Sequence, residues 1–75
     1  MFGDVRTKTP PFQPGDRIRL DAMIGDPDPI PPGALGTVES CIRFASDWQV
    51  EVRWDSGRTL SLVVPPDRAS RVSAD

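Results

Sequence analysis

Apolar residues recur at every second position in three stretches of this chain, the spacing of half-buried strands. Arg17-Ile18-Arg19-Leu20-Asp21 alternates strictly, turning Ile18 and Leu20 to one side and Arg17, Arg19 and Asp21 to the other. Trp48 to Trp54 alternates longest, with Trp48, Val50, Val52 and Trp54 on one face, and reads as the central strand. Thr59-Leu60-Ser61-Leu62-Val63 repeats the pattern with Leu60 and Leu62 inward. Between the first two lies Gly36 to Ile42, whose Thr37, Val38 and Ile42 are β-branched and predict a further strand. No segment keeps a helical period, and no internal repeat occurs.

Turn residues separate these runs. Pro14-Gly15-Asp16 predicts a turn before the first strand, and Asp55-Ser56-Gly57 a tight hairpin after the central one. Arg43 to Asp47 reads as a polar connection containing one aromatic, Phe44. Met23 to Gly33 cannot be regular structure, because Pro27, Pro29, Pro31 and Pro32 remove backbone donors. It predicts a long loop stiffened by proline. Pro65-Pro66-Asp67-Arg68-Ala69 suits a single 3₁₀ turn with Asp67 as its cap, followed by a short closing strand at Ser70-Arg71-Val72. Residues 1–13 read as a flexible N-terminal tail in which Phe12 alone is suited to fold back onto the core. Residues 14–72 then form the domain and 73–75 a C-terminal tail.

The expected fold is therefore all-β, a small SH3-like barrel of four to five antiparallel strands with a long first loop and a 3₁₀ turn before the last strand. An OB-like barrel is the nearest alternative, but it normally needs a longer chain and a helix.

Composition narrows the means of stabilising such a domain. A chain of 75 residues buries only about 60% of the surface its unfolded form exposes. Small domains compensate with disulfides, a metal or association. Cys41 is the one cysteine and histidine is absent, which excludes an intrachain disulfide and a zinc site of the usual Cys/His kind. Close packing or oligomerisation is left. Nine basic and eleven acidic residues give a formal charge of −2, against the basic footprint of non-specific nucleic-acid binding. No apolar run reaches the length of a membrane span, and no signal peptide is visible, so a cytoplasmic protein is expected.

Three motifs in order, GDRIRL (Gly15 to Leu20), DPDPIPPGALGTV (Asp26 to Val38) and WDSGRTLSL (Trp54 to Leu62), are followed by Pro65, Pro66 and Asp67. Together they resemble domain of unknown function 4314, a family of small proteins of bacteria, phages and plasmids, over Phe12 to about Val72. The resemblance implies a small barrel and a mobile-element setting. It implies no activity and transfers no catalytic residue.

The residues themselves offer several candidate sites. Cys41 would need a base or a positive field to act as a nucleophile; without histidine it reads as a partly buried strand residue. Asp26 and Asp28, with Asp21 nearby, could pair for acid–base work or hold a hard cation. Both precede proline, however, and Asp-Pro commonly opens turns, so turn formation is the simpler reading. Trp54 reads as core. Trp48 sits at the strand's edge and is open to two readings, core or interface anchor. Arg17, Arg19, Arg53, Arg58, Arg68 and Arg71 could read phosphate, yet Asp16, Asp21, Glu39, Glu51 and Asp55 interleave with them, so cross-strand ion pairs explain the pattern more simply. The absence of tyrosine leaves a polyproline-gripping groove poorly supplied.

The Met23 to Gly33 loop is where function is expected, since long loops in small domains carry it and prolines reduce the entropy lost on binding. Two roles stay open for it: engaging a partner, or closing the barrel with Ile24 or Ile30 as a plug. The expectation is a non-catalytic module with no cofactor and no metal. It binds a protein partner through Met23, Ile24, Asp26, Asp28, Ile30 and Trp48. The alternative is a nucleic-acid accessory protein using Arg17, Arg19 and Arg53. Open edge strands also make a homodimer conceivable.

Overall fold

The computed structural model describes residues 9–72. Five strands, β1 (Arg17–Ala22), β2 (Leu35–Phe44), β3 (Asp47–Trp54), β4 (Leu62–Val64) and β5 (Arg68–Arg71), form the regular structure. They make one antiparallel sheet in the order β4-β3-β2-β1-β5, which places β4 and β5 at its edges. At its centre is β2, rather than the expected Trp48 to Trp54 strand, because β2 pairs on both sides with its sequence neighbours β1 and β3. The all-β expectation holds. The strand boundaries shift in three places.

The first shift is at the β2–β3 connection, where the strands continue to Phe44 and Asp47 and only Ala45-Ser46 turns the chain. Ala45 takes φ of +57°, a conformation usually left to glycine or asparagine. The second shift is in β4, which is short and starts at Leu62, while Thr59 makes an isolated bridge to Arg53. The third follows Val64, where the expected 3₁₀ turn is a simple turn over 65–67, with Val64-Pro65 and Pro65-Pro66 both cis, and β5 begins already at Arg68. The hairpin at Asp55-Ser56-Gly57 forms as expected, with Gly57 N–H donating to the Trp54 carbonyl (2.9 Å).

Alternation places the core as the sequence reading expects in β1 and β3. Ile18, Leu20, Val50, Val52 and Trp54 are all buried, and Val38 and Leu62 join them from β2 and β4. In β2 the alternation breaks. Val38 faces Val52, but the next partner pair is Ser40 with Glu51, so Glu39 and Ser40 share one position on the partner strand. This bulge inverts the face of everything after it. Cys41 therefore packs against the core, whereas Ile42 stands 56% exposed on the outer face.

Two further core residues come from outside the sheet. Phe12 folds back and is buried, and Ile30 reaches in from the long loop. The N-terminal approach is secured by Asp16, whose carboxylate accepts from Gln13 N–H (2.9 Å) and from Arg71 Nε (3.1 Å). Trp54 donates its indole N–H to the Leu60 carbonyl (2.9 Å), giving a buried ring a partner for its polar atom. Its ring lies against Gly36, where an added Cβ would stand 2.9 Å from Trp54 Cε3 and force a neighbour to shift.

Candidate functional site

The Met23 to Gly33 loop leaves β1 and returns to β2, and three sets of contacts hold its shape. At its base, Gly33 N–H donates to the Leu20 carbonyl and Leu20 N–H to the Ala34 carbonyl, both at 2.8 Å. In its middle, the Ile30 side chain is sunk into the core while its N–H rests on the Met23 sulfur (3.4 Å). At its flank, Arg58 from the β3–β4 connection donates to the Asp28 carbonyl (2.9 Å). Asp26 accepts from Asp28 N–H (2.8 Å), an Asx turn that bends the chain between prolines.

A fourth anchor comes from much further along the chain. Asp67, a buried carboxylate, accepts from Ile24 N–H through Oδ1 (2.7 Å) and from Val63 N–H through Oδ2 (3.0 Å). It thus ties the loop to β4 across a sequence separation of 43 residues. The sequence reading assigned Asp67 to its own turn. Its distant partner left no local signal, because a cap is recognised by neighbours in sequence and this contact is tertiary.

These anchors sort the candidate residues. Ile30 is the apolar plug, and Met23 is half-buried against the core. Ile24 is held by its backbone but leaves its side chain 57% exposed. Asp28 is exposed, and Asp26 is half-buried in its turn. Trp48 stands elsewhere, half-buried on β3 opposite Val64 of β4, with the Arg43 guanidinium 5.5 Å above its ring centre. Of the loop candidates, Ile24 and Asp28 are therefore exposed and Ile30 is not, while Trp48 lies on the sheet.

Arg17, Arg19 and Arg53, the arginines of the phosphate-reading alternative, are engaged with carboxylates. Arg17 makes a fork to Asp55 (2.8 and 2.7 Å) and also donates to Thr37. That fork raises the Arg17 pKa and holds the Asp55 carboxyl below the usual carboxylate range. Arg53 pairs with Glu39 (2.8 Å) across the sheet. Arg19 lies 3.5 Å from Asp21, whose carboxyl is held low chiefly by the Ser70 hydroxyl, with Arg19 adding to it and burial opposing. Arg17, Arg19 and Arg53 thus share the outer face with their own counter-charges. A phosphate would have to compete with them.

Other chemistry is sparse. Cys41 is a half-buried free thiol. Among the described residues, no group of three or more Cys, Asp or Glu side chains is placed to hold a metal ion, and no helix is long and apolar enough to cross a membrane.

A surface the sequence reading missed lies on the outer face. Ile42 of β2, Gln49 of β3 and Val63 of β4 stand in one row, and Phe44 is 65% exposed further along β2. The bulge after Val38 creates it, and no residue-type signal marks that bulge.

No curated protein and no solved structure matches this chain. A family model does match, over residues 4–72, which is nearly the whole chain. The same span contains the sheet, the Asp67 tie and the proline-stiffened loop, so the chain belongs to the family described as Domain of unknown function (DUF4314).

Proposed function

We propose that this protein is a non-catalytic binding module, an SH3-like barrel that engages a protein partner through the Met23 to Gly33 loop. The phage or plasmid setting is part of the same proposal and rests on the family resemblance. The observation that carries the reading is the way the loop is held. Ile30, Arg58 and Asp67 fix its backbone from three sides, yet the Ile24 side chain is left out in water. An exposed apolar side chain on an immobilised backbone binds without the ordering cost of a free loop.

The nucleic-acid reading has less support, since Arg17, Arg19 and Arg53 are each engaged with a carboxylate of the same face. Affinity capture from a host lysate, with and without nuclease, separates the two. The loop reading expects a protein that is retained after nuclease treatment and lost with Ile24→Ser, while the variant keeps its native fluorescence. Retention that vanishes with nuclease, or survives Ile24→Ser intact, refutes it.

A further inference from the structure

Strands at the edge of a sheet offer unpaired backbone groups to other chains, and natural sheets blunt them with charge or by covering them. The two edges here differ in composition. β5 carries Arg68 and Arg71 at its ends, which repel a second copy of the same strand. β4 is Leu-Val-Val, with no charge of its own. Val63 also continues the exposed row that runs through Gln49 to Ile42. A bare apolar strand beside an exposed apolar row is the kind of edge that recruits another strand.

Asp67 stands against that outcome. Val63 is the middle residue of β4, and both its backbone groups are engaged by this one residue. Its N–H donates to Asp67 Oδ2 (3.0 Å), and its carbonyl accepts from Asp67 N–H (2.9 Å). The remaining carboxylate oxygen holds Ile24 N–H. Asp67 therefore cannot turn away without releasing two backbone donors at once, and it is only 5% exposed.

We propose that Asp67 is an edge cap, which withholds β4 from strand pairing with a second copy of this chain. Removing the carboxylate leaves Val63 with a free donor, while its carbonyl keeps the backbone N–H of residue 67 and has its second lone pair open to another donor. Two such strands meet antiparallel about a two-fold axis at Val63, where each residue donates to the other's carbonyl. The exposed Val63 side chain adjoins that seam, and Gln49 and Ile42 continue its row inward across β3 and β2. This device is independent of what the Met23 to Gly33 loop binds.

The full-length chain provides the first test. The Val63 amide, although on a sheet edge, exchanges with solvent roughly 10- to 100-fold more slowly than an unbonded amide, the factor expected of a hydrogen bond to a charged acceptor. Exchange at the unbonded rate overturns the proposal. Sedimentation over a concentration series is the second. Asp67→Ala, with Trp54 fluorescence still native, forms a concentration-dependent dimer, and adding Val63→Lys returns it to monomer. If Asp67→Ala does not fold, the exchange rate of the Val63 amide in the natural chain decides the question. A folded variant that stays monomeric throughout, or an association that survives Val63→Lys, overturns the proposal.

Discussion

Gly36→Ala tests the packing of the core directly. The backbone there is ordinary extended strand, so alanine meets no conformational barrier and even gains ~0.4–1 kcal/mol by restricting the unfolded chain. Space opposes the change. The new methyl carbon would stand 2.7 Å from Val52 Cγ1, 2.9 Å from Trp54 Cε3 and 3.0 Å from the Arg53 carbonyl oxygen. All three neighbours are stiff, being a short buried side chain, a buried ring and backbone, so none can swing aside. Overpacking of this kind costs ~1–3 kcal/mol, and three simultaneous contacts place it at the upper end. After the unfolded-state gain, about 2 kcal/mol of destabilisation remains.

A domain of this size holds only ~3–10 kcal/mol in total, so the loss is a substantial share of it. The midpoint of thermal unfolding should fall by roughly 8–16 °C. Urea titration followed by tryptophan fluorescence measures the effect, because Trp54 passes from a buried site to water. The slope should not change while the midpoint falls. Val52→Ala removes the nearest contact, so the double variant should be less destabilised than the two single changes predict together. A Gly36→Ala cost within 0.5 kcal/mol, a threshold typical of surface changes, or strict additivity with Val52→Ala, would refute the close approach of β2 to the Trp54 ring.

Two further predictions concern the core and the charged face. Trp54→Ala should cost ~3–5 kcal/mol and leave the Leu60 carbonyl without its donor, so the domain should lose its cooperative transition near room temperature; a folded Trp54→Ala domain with a sharp transition would contradict the core assignment. The Asp55 carboxyl is held low by Arg17, so its stabilisation is complete above the unfolded carboxylate value of about 4 and disappears as pH falls through the lower folded value. Arg17→Gln should therefore be less stable than the natural chain at pH 7, with the gap narrowing towards pH 2–3. A gap of constant size in acid titrations of the two proteins would mean that the Arg17–Asp55 fork contributes nothing.

The legible parts of this protein are those in which neighbouring residues decide the outcome. In β1 and β3 a strict two-residue period meets a single buried face, so Ile18, Leu20, Val50, Val52 and Trp54 could be assigned to the core from spacing alone. The Asp55-Ser56-Gly57 hairpin was equally plain, because Gly57 supplies the positive φ that the turn requires. The Ala45-Ser46 turn was not. Neither residue favours that conformation, and it forms because the pairing of Phe44 with Asp47 closes the hairpin around it. Among the candidate site residues, the loop and its stiffness were visible in its prolines. The division of labour between Ile24 and Ile30 was not, since two isoleucines in one loop are chemically identical until something fixes the backbone between them.

By itself the sequence determined an all-β domain, its two strictly alternating strands, most of its core and the loop on which a binding surface can be built. Alternation and turn chemistry act over a few residues, and that range suffices for those features. The tertiary structure alone decided three others: the bulge after Val38 that turns Ile42 outward, the choice of Ile30 over Ile24 as plug, and the role of Asp67. Each depends on a partner from another strand or loop. A bulge exists only relative to the strand opposite, and a buried carboxylate is directed by whichever backbone donors the fold brings to it.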